Sequence, residues 1–155
     1  TLHTNDAPTA ITRMLDMNVE PFLIASSVIG VLAQRLVRVL CPKCKIPLDK
    51  SIASDILERL GAMKNLRGKN ITMFAPNGCP DCKNGYSGRL GIFELMHVNN
   101  QIRTLIKERS SSAEVMEAAL KNGMMPLRQD GLLKVATGVT TVEEVLAVTQ
   151  DAEEA

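Results

Sequence analysis

The chain has 155 residues, room for one compact domain or two small units, and 45 % of them are hydrophobic, which excludes a disordered chain. A formal net charge of +1 gives no global electrostatic case for nucleic-acid binding, and three Phe, one Tyr and no Trp leave no aromatic platforms for stacking single strands. The core must therefore rest on Leu, Ile, Val, Met and Ala.

In chain order, TLHTND reads as a polar loop, with Asp6 as the N-cap and Pro8 in the first turn of a helix over 7–17. Ile11, Met14 and Leu15 repeat at helical spacing, and the helix should end near Asn18. A second helix is expected from Glu20-Pro21 to Gly30 or Ala33, followed by a strand over 34–40 that leads into Cys41. The apolar stretch Phe22 to Ala33 is broken by Ser26, Ser27 and Gly30, and Arg35 and Arg38 follow it, so it is too short for a membrane span. The opening TLHTNDAPTAI lacks the basic and apolar regions of a signal peptide and begins without Met, so the chain is expected to be part of something longer.

Further on, Ile52, Ile56, Leu57 and Leu60 predict a short helix over 51–60 closed by Gly61, and Ile71 to Phe74 predicts a strand. Gly85, Gly88 and Gly91 predict tight turns before a strand over 92–98. The remainder reads as helical: 100–108, then 113–121 capped by Ser111 or Ser112, then a helix opened by Pro126 and closed near Gly138. Thr141 with Glu144 three residues on fits a capping box for a last helix over 142–149, before a frayed acidic tail at 151–155.

The only cysteines stand in two matched pairs, Cys41-Pro42-Lys43-Cys44 and Cys79-Pro80-Asp81-Cys82. Each Cys-x-x-Cys turn brings two sulfurs close together, and two such turns supply the four thiolates of a tetrahedral zinc site. The 34 residues between the pairs exceed the roughly 15–20 of a common zinc ribbon, so a small subdomain must fill the loop. Two disulfides, four ordinary buried thiols and an iron or redox centre are the alternatives. Metal binding favours a reducing, cytoplasmic compartment.

Among the remaining candidates, His3 lies among hydroxyl and amide side chains, a setting in which imidazole senses an anion such as phosphate or is simply solvated. No Gly-x-x-x-x-Gly-Lys-[Ser/Thr] loop occurs, so this chain by itself is not expected to hydrolyse a nucleotide. Arg13 sits near an apolar stripe, where Asp16 offers an ion-pair partner one turn on. Arg35 and Arg38 fall on opposite faces of a strand, so one should point inward and need a carboxylate. Arg89, between Gly88 and Gly91, suits phosphate or carboxylate recognition, or else a structural salt bridge. His97 has no metal role, because four cysteines already complete the site, and the eight scattered methionines are core fillers.

Taken in order, TLHTND, ITRMLDM, EPFLIASSVIGVLAQRLVRVLC, CPKC and CPDC, GYSGRLGIFELM and LRQDGLLKVATGVTTVEEVL resemble the C-terminal part of the secretion ATPases, the RecA-like motors of type II secretion and type IV pilus assembly. The resemblance covers essentially the whole chain. It implies an α/β fold: the end of a RecA-like P-loop NTPase core (1–40), a tetracysteine zinc subdomain with its return strand (41–98) and a C-terminal helical subdomain (99–150). It implies that His3 lies beside the γ-phosphate of ATP with Arg89 and Arg13 near the nucleotide, and that Cys41, Cys44, Cys79 and Cys82 hold structural Zn²⁺. QIRTLIKE is similar to a helical motif of the retraction motors, but retraction motors generally lack the four cysteines, which places this chain with the assembly and secretion branch. The parent implied is a cytoplasmic homohexamer, peripheral at the inner membrane through platform and adaptor proteins. It would use ATP and Mg²⁺ with a Walker A half that this sequence does not contain, and no nucleic acid. The rival reading is a non-enzymatic zinc-stabilised interaction or nucleic-acid-binding module, with Arg35, Arg38, Lys43, Lys45 and Lys50 as its contact surface.

Overall fold

A computed structural model describes residues 2, 4–61 and 71–149. In chain order its elements are α1 (Ala7–Asp16), α2 (Pro21–Ser27), β1 (Gly30–Leu40), β2 (Ile46–Pro47), α3 (Lys50–Arg59), β3 (Phe74–Ala75), β4 (Tyr86–His97), α4 (Asn100–Lys107), α5 (Ser112–Lys121), α6 (Leu127–Ala136) and α7 (Val142–Thr149). Helix and strand are thus mixed, with β1 paired to β4 and β2 to β3 in two small sheets. Val98 N donates to Ile29 O at 3.0 Å at one end of the first sheet, and Cys41 N donates to Gly85 O at 2.8 Å at the other. β1 and β4 therefore run antiparallel. No helix among the described residues is long and apolar enough to cross a membrane.

The chain forms two compact units, each discontinuous in sequence. The first takes in Thr1–Gln34 and Phe93–Leu127, and the second Arg35–Ile92 and Arg128–Gln150. In the first unit, the Asp6 carboxylate accepts from Thr9 N at 2.7 Å and starts α1, and Asn18 ends it by turning to a φ of 60°. α2 stops at Ser27, short of the expected Gly30 or Ala33, and β1 starts at Gly30 rather than Gln34. The reason is local: Val28 and Ile29 are β-branched, and Val28 is already extended, with ψ at 123°. Asn99 caps α4 by accepting from Ile102 N at 3.0 Å, and Ser111 with Glu114 forms the capping box of α5. α1 packs on α2 and α5, α2 on α4, and α4 on α5. Their contact faces bury Ile11, Ile24, Ile102, Ile106 and Val115 around Met96 of β4.

Glu94 is the exception in this core, at 2 % exposure on the buried phase of β4. Its two carboxylate oxygens accept from Ala7 N at 2.8 Å and Leu127 N at 3.2 Å, the first residues of α1 and α6. A helix N-terminus presents amides that lack intrahelical acceptors and carries partial positive charge, so one buried carboxylate satisfies two such ends. Burial pushes the Glu94 carboxyl above its ordinary value and the two amides pull it back, while neighbouring Asp6 adds an upward push.

In the second unit β2 and β3 pair antiparallel, Ile46 opposite Ala75 and Pro47 opposite Phe74. The strand expected over 71–74 is shifted to Phe74–Ala75: Leu48 N still donates to Met73 O one step further along the same register, but Thr72 N turns away to Ala136 O. Asp49 caps the start of α3 by accepting from Ser51 N at 2.8 Å, and the chain closes the helix at Gly61 with φ 66° as expected. β4 begins at Tyr86, six residues before the predicted Ile92, and runs straight through Gly88 and Gly91. The tight turn is Asn84-Gly85 instead, with φ of 54° and 85°; Lys83 and Tyr86 exchange both backbone hydrogen bonds across it at 3.0 Å. Two positive φ values in an Asn-Gly pair make the two-residue hairpin turn whose twist matches paired strands.

α6 and α7 cross at Gly131, where an added Cβ would lie 2.5 Å from Val145 Cγ1. The capping box expected for α7 does not form. The Thr141 hydroxyl pairs with the Tyr86 hydroxyl at 3.1 Å, and Glu144 turns to Arg38, accepting from its Nη2 at 2.6 Å and its backbone N at 3.0 Å. A bidentate, charge-assisted interaction with an arginine outweighs one neutral cap. The acidic tail at 151–155 lies outside the described residues.

Candidate metal centre

The end of β1 delivers Cys41, the Asn84-Gly85 turn follows Cys82, and the Cys41 N to Gly85 O bond holds the two segments side by side. Within each knuckle a backbone bond closes the turn, from Cys44 N to Cys41 O at 3.4 Å and from Cys82 N to Cys79 O at 3.2 Å. All four sulfurs lie within 4.8 Å of one another. Cys41 Sγ is 3.9 Å from Cys79 Sγ, Cys44 Sγ is 3.7 Å from Cys82 Sγ, and Cys79 Sγ is 3.6 Å from Cys82 Sγ. A tetrahedron with Zn–S bonds of about 2.3 Å has edges of about 3.8 Å, so the spacing fits a four-thiolate metal site. It does not fit disulfides, whose sulfurs lie about 2 Å apart, and all four cysteines are free.

Backbone amides point at two of the four sulfurs. Gly78 N donates to Cys44 Sγ and Cys79 N to Cys82 Sγ, each at 3.3 Å. Burial works against ionisation of Cys82, but the amide and thiol of Cys79, with help from Gly85 and Cys44, bring it down to about 7. Cys79 goes the other way, to about 12: the Asp81 amide draws it down, but burial and the three other thiols outweigh it. Cys44 is raised, chiefly by burial. Four thiolates this close repel one another, and a divalent cation is the simplest neutraliser. Outside the cluster, Lys43 Nζ reaches Asp81 Oδ2 at 2.8 Å, linking equivalent positions of the two knuckles through an exposed pair.

The other residues singled out from sequence are dispersed. His3 lies outside the described residues. Arg13 is exposed on α1 and makes no ion pair with Asp16 among the described residues. Arg89 is exposed on β4 and forms no structural salt bridge there either. His97, exposed at the end of β4, stands apart from the sulfur cluster. Arg35 takes the half-buried phase of β1 and Arg38 the exposed one, where Arg38 pairs with Glu144.

Arg38 is also stacked on the Tyr86 ring, with Cζ 4.2 Å from its centroid. Lys45 donates to Gly138 O at 2.7 Å and lies over the Phe74 ring. The basic run that a nucleic-acid reading needs is thus largely committed within the protein: Arg38 to Glu144, Lys43 to Asp81 and Lys45 to Gly138. Sequence reasoning missed Glu94 and the Glu144–Arg38–Tyr86 group. A carboxylate on the buried phase of β4, between Ile92 and Met96, was the available signal for the first; nothing local announces the second.

With four cysteine sulfurs gathered where a metal ion could be held, the chain is a member of the family described as Type II/IV secretion system protein, which it matches over residues 1–147. Among its relatives, Type II secretion system protein E of Pseudomonas aeruginosa is 49 % identical over 152 residues, covering 97 % of this chain and 29 % of that protein. Type II secretion system protein HxcR of the same organism is 45 % identical over 153 residues, covering 98 % and 28 %. Type IV pilus assembly ATPase PilB of Thermus thermophilus is 45 % identical over 150 residues, covering 96 % and 16 %. The chain therefore spans less than a third of the length of these relatives.

Proposed function

We propose that this chain is the C-terminal part of a hexameric cytoplasmic ATPase that powers type II protein secretion or type IV pilus assembly. The observation that carries the reading is the match to the secretion family from residue 1 to 147, at up to 49 % identity to relatives named for those machines. On this reading residues 1–40 close a RecA-like core, 41–98 form the zinc subdomain, 99–150 form the helical subdomain, and 151–155 are its tail. ATP and Mg²⁺ bind through the part of the longer protein that carries the phosphate-cradling loop. His3, Arg89 and Arg13 contribute by electrostatic sensing of the phosphates rather than as general bases. Cys41, Cys44, Cys79 and Cys82 hold Zn²⁺, which supplies rigidity and no chemistry. The motor would act as a homohexamer at the inner membrane, held there by platform and adaptor proteins.

The test is a segment exchange. Residues 1–147 replace the matching stretch of the Pseudomonas aeruginosa Type II secretion system protein E, and the chimaera is introduced into cells lacking that protein. Restored secretion and ATP hydrolysis, together with one zinc per chain, are expected. A folded, zinc-loaded chimaera with neither activity would overturn the assignment.

A further inference from the structure

In the first unit, the segment Thr4–Asp6 runs from His3 into α1, and the first amide of that helix is held from outside it. Ala7 N donates to Glu94 Oε1 at 2.8 Å, and Glu94 lies on β4 at 2 % exposure. We propose that Glu94 is a positioning residue: by holding Ala7 it fixes the segment Thr4–Ala7, and so sets His3, the residue before it, for its place at the ATP phosphates. This rests on the ATP-proximal reading of His3 and adds to it the group that keeps the loop in place.

Local bonds give the segment its shape. The Thr4 hydroxyl donates to Asp6 O at 3.2 Å, and the Asp6 carboxylate accepts from Thr9 N at 2.7 Å. Both lie within the loop and α1, so they would travel with any shift of the two. The Glu94 bond differs in kind, because it spans 87 residues of chain and ties the segment to a strand. The first turn of α1 leaves this amide for the purpose: Pro8 has no N–H to give, and Thr9 N is taken by Asp6.

Packing does not call for an acid at this point. Ile92 and Met96, two residues before and after Glu94 on the same phase of β4, are fully buried and apolar, and a third apolar residue would continue the row without desolvating a carboxylate. What the carboxylate adds is a charge-assisted bond of fixed length at a helix start, where partial positive charge favours it. Its second oxygen accepts from Leu127 N at 3.2 Å, and a carboxylate held at both oxygens does not swing away from Ala7. Fixed length matters for chemistry, since a misplacement of 1 Å in a catalytic constellation can cost about a hundredfold in rate.

The test joins two measurements on Glu94→Gln, Glu94→Asp and Glu94→Ala. Amide hydrogen exchange in the zinc-loaded chain reports which bonds each variant keeps, and unchanged exchange across α4 and α5 shows that it is folded. ATP hydrolysis is read in the chimaera that carries residues 1–147. Variants that release Ala7 should exchange the amides of Thr4 to Ala7 at least tenfold faster, and their kcat should fall at least tenfold with KM for ATP within twofold. A variant that releases Leu127 alone should keep its kcat. His3→Ala should lower kcat by itself, and adding a Glu94 substitution that frees Ala7 should lower it no further, because the two act through one group.

Unchanged exchange at Ala7 in all three variants would overturn the anchor. Losses of kcat that multiply with that of His3→Ala, or that follow Leu127 instead of Ala7, would reduce Glu94 to a stabilising residue and overturn its positioning role. A chimaera that hydrolyses no ATP with Glu94 intact would overturn the ATPase reading and the catalytic part of this proposal together, while the exchange at Thr4 to Ala7 still decides whether Glu94 holds the loop.

Discussion

Two carboxylates, Glu94 and Glu144, carry the most consequential single-residue interactions outside the cysteines, and they respond to pH in opposite directions. Glu94→Ala leaves two buried amides without acceptors, at about 1–3 kcal/mol each, so a loss of about 3 kcal/mol in urea unfolding is expected. Glu94→Gln keeps one acceptor and should cost less. The folded state holds the Glu94 proton more tightly than the unfolded chain, because its carboxyl is raised above the ordinary value of 4.5. Its contribution is therefore fully present below that value and is lost as pH rises through the raised one. On acidification from pH 7 towards 4.5 the native protein should gain stability relative to Glu94→Gln; a constant difference across that window would show that the carboxylate is not desolvated.

Glu144 is lowered, chiefly by the side-chain hydrogen bond from Arg38. Its contribution is present above the ordinary value and disappears as pH falls through the lowered one. Arg38 is half exposed, which limits the pair to about 1 kcal/mol. Glu144→Gln should therefore be less stable than the native protein at pH 7, and the gap should shrink as pH falls below 4.5, as read by paired denaturation curves.

At the scale of elements, the crossing of α6 and α7 has no spare volume. Gly131→Ala would place its methyl 2.5 Å from Val145 Cγ1, so an overpacking cost of about 1–3 kcal/mol is expected despite the better helix propensity of alanine. Pairing it with Val145→Ala should recover most of the loss; no recovery would locate the strain elsewhere. This contrast between local and distant determinants also explains which elements were legible in the sequence. Asp6, Ser111 and Gly61 act within one turn of their own helix, and the spacing of the cysteines encodes its own ligand geometry, so all of these could be read directly.

Residues whose partners lie far along the chain could not. Thr141 and Glu144 have the pattern of a capping box, yet Tyr86 and Arg38 claim them, and no local pattern reveals that competition. The glycine-rich run was similarly ambiguous. Three close glycines promise turns, but only the Asn84-Gly85 pair has the two adjacent positive φ values that reverse the chain.

For the whole molecule, the interleaving of the two units changes what metal loss should do. The spacing of the cysteines alone predicts that a chelator melts residues 41–95 before any C-terminal helix. Within the second unit, however, Leu40 N donates to Val139 O and Thr72 N to Ala136 O, each at 2.8 Å, and Lys45 reaches Gly138 O. Chelation should therefore strip amide protection from α6 and α7 together with the described residues of 41–61 and 71–85, while α4 and α5 keep theirs. Retained protection across 41–61 and 71–85 after elemental analysis confirms metal loss would refute a structural metal, whose removal costs on the order of 10 kcal/mol locally.

The Cys41 N to Gly85 O bond beside the four sulfurs has a further consequence, for the order in which the chain folds. β1 and β4 are neighbours in the sheet but are separated by the whole loop between Leu40 and Tyr86, so their meeting is slow to nucleate and open to slippage by a residue. A cation that gathers both knuckles brings the strand ends together first and leaves one alignment for the ladder to zip from. Metal capture would then be an early event of folding that selects the register, and the refolding rate, as well as the final stability, should rise with the metal present at the start.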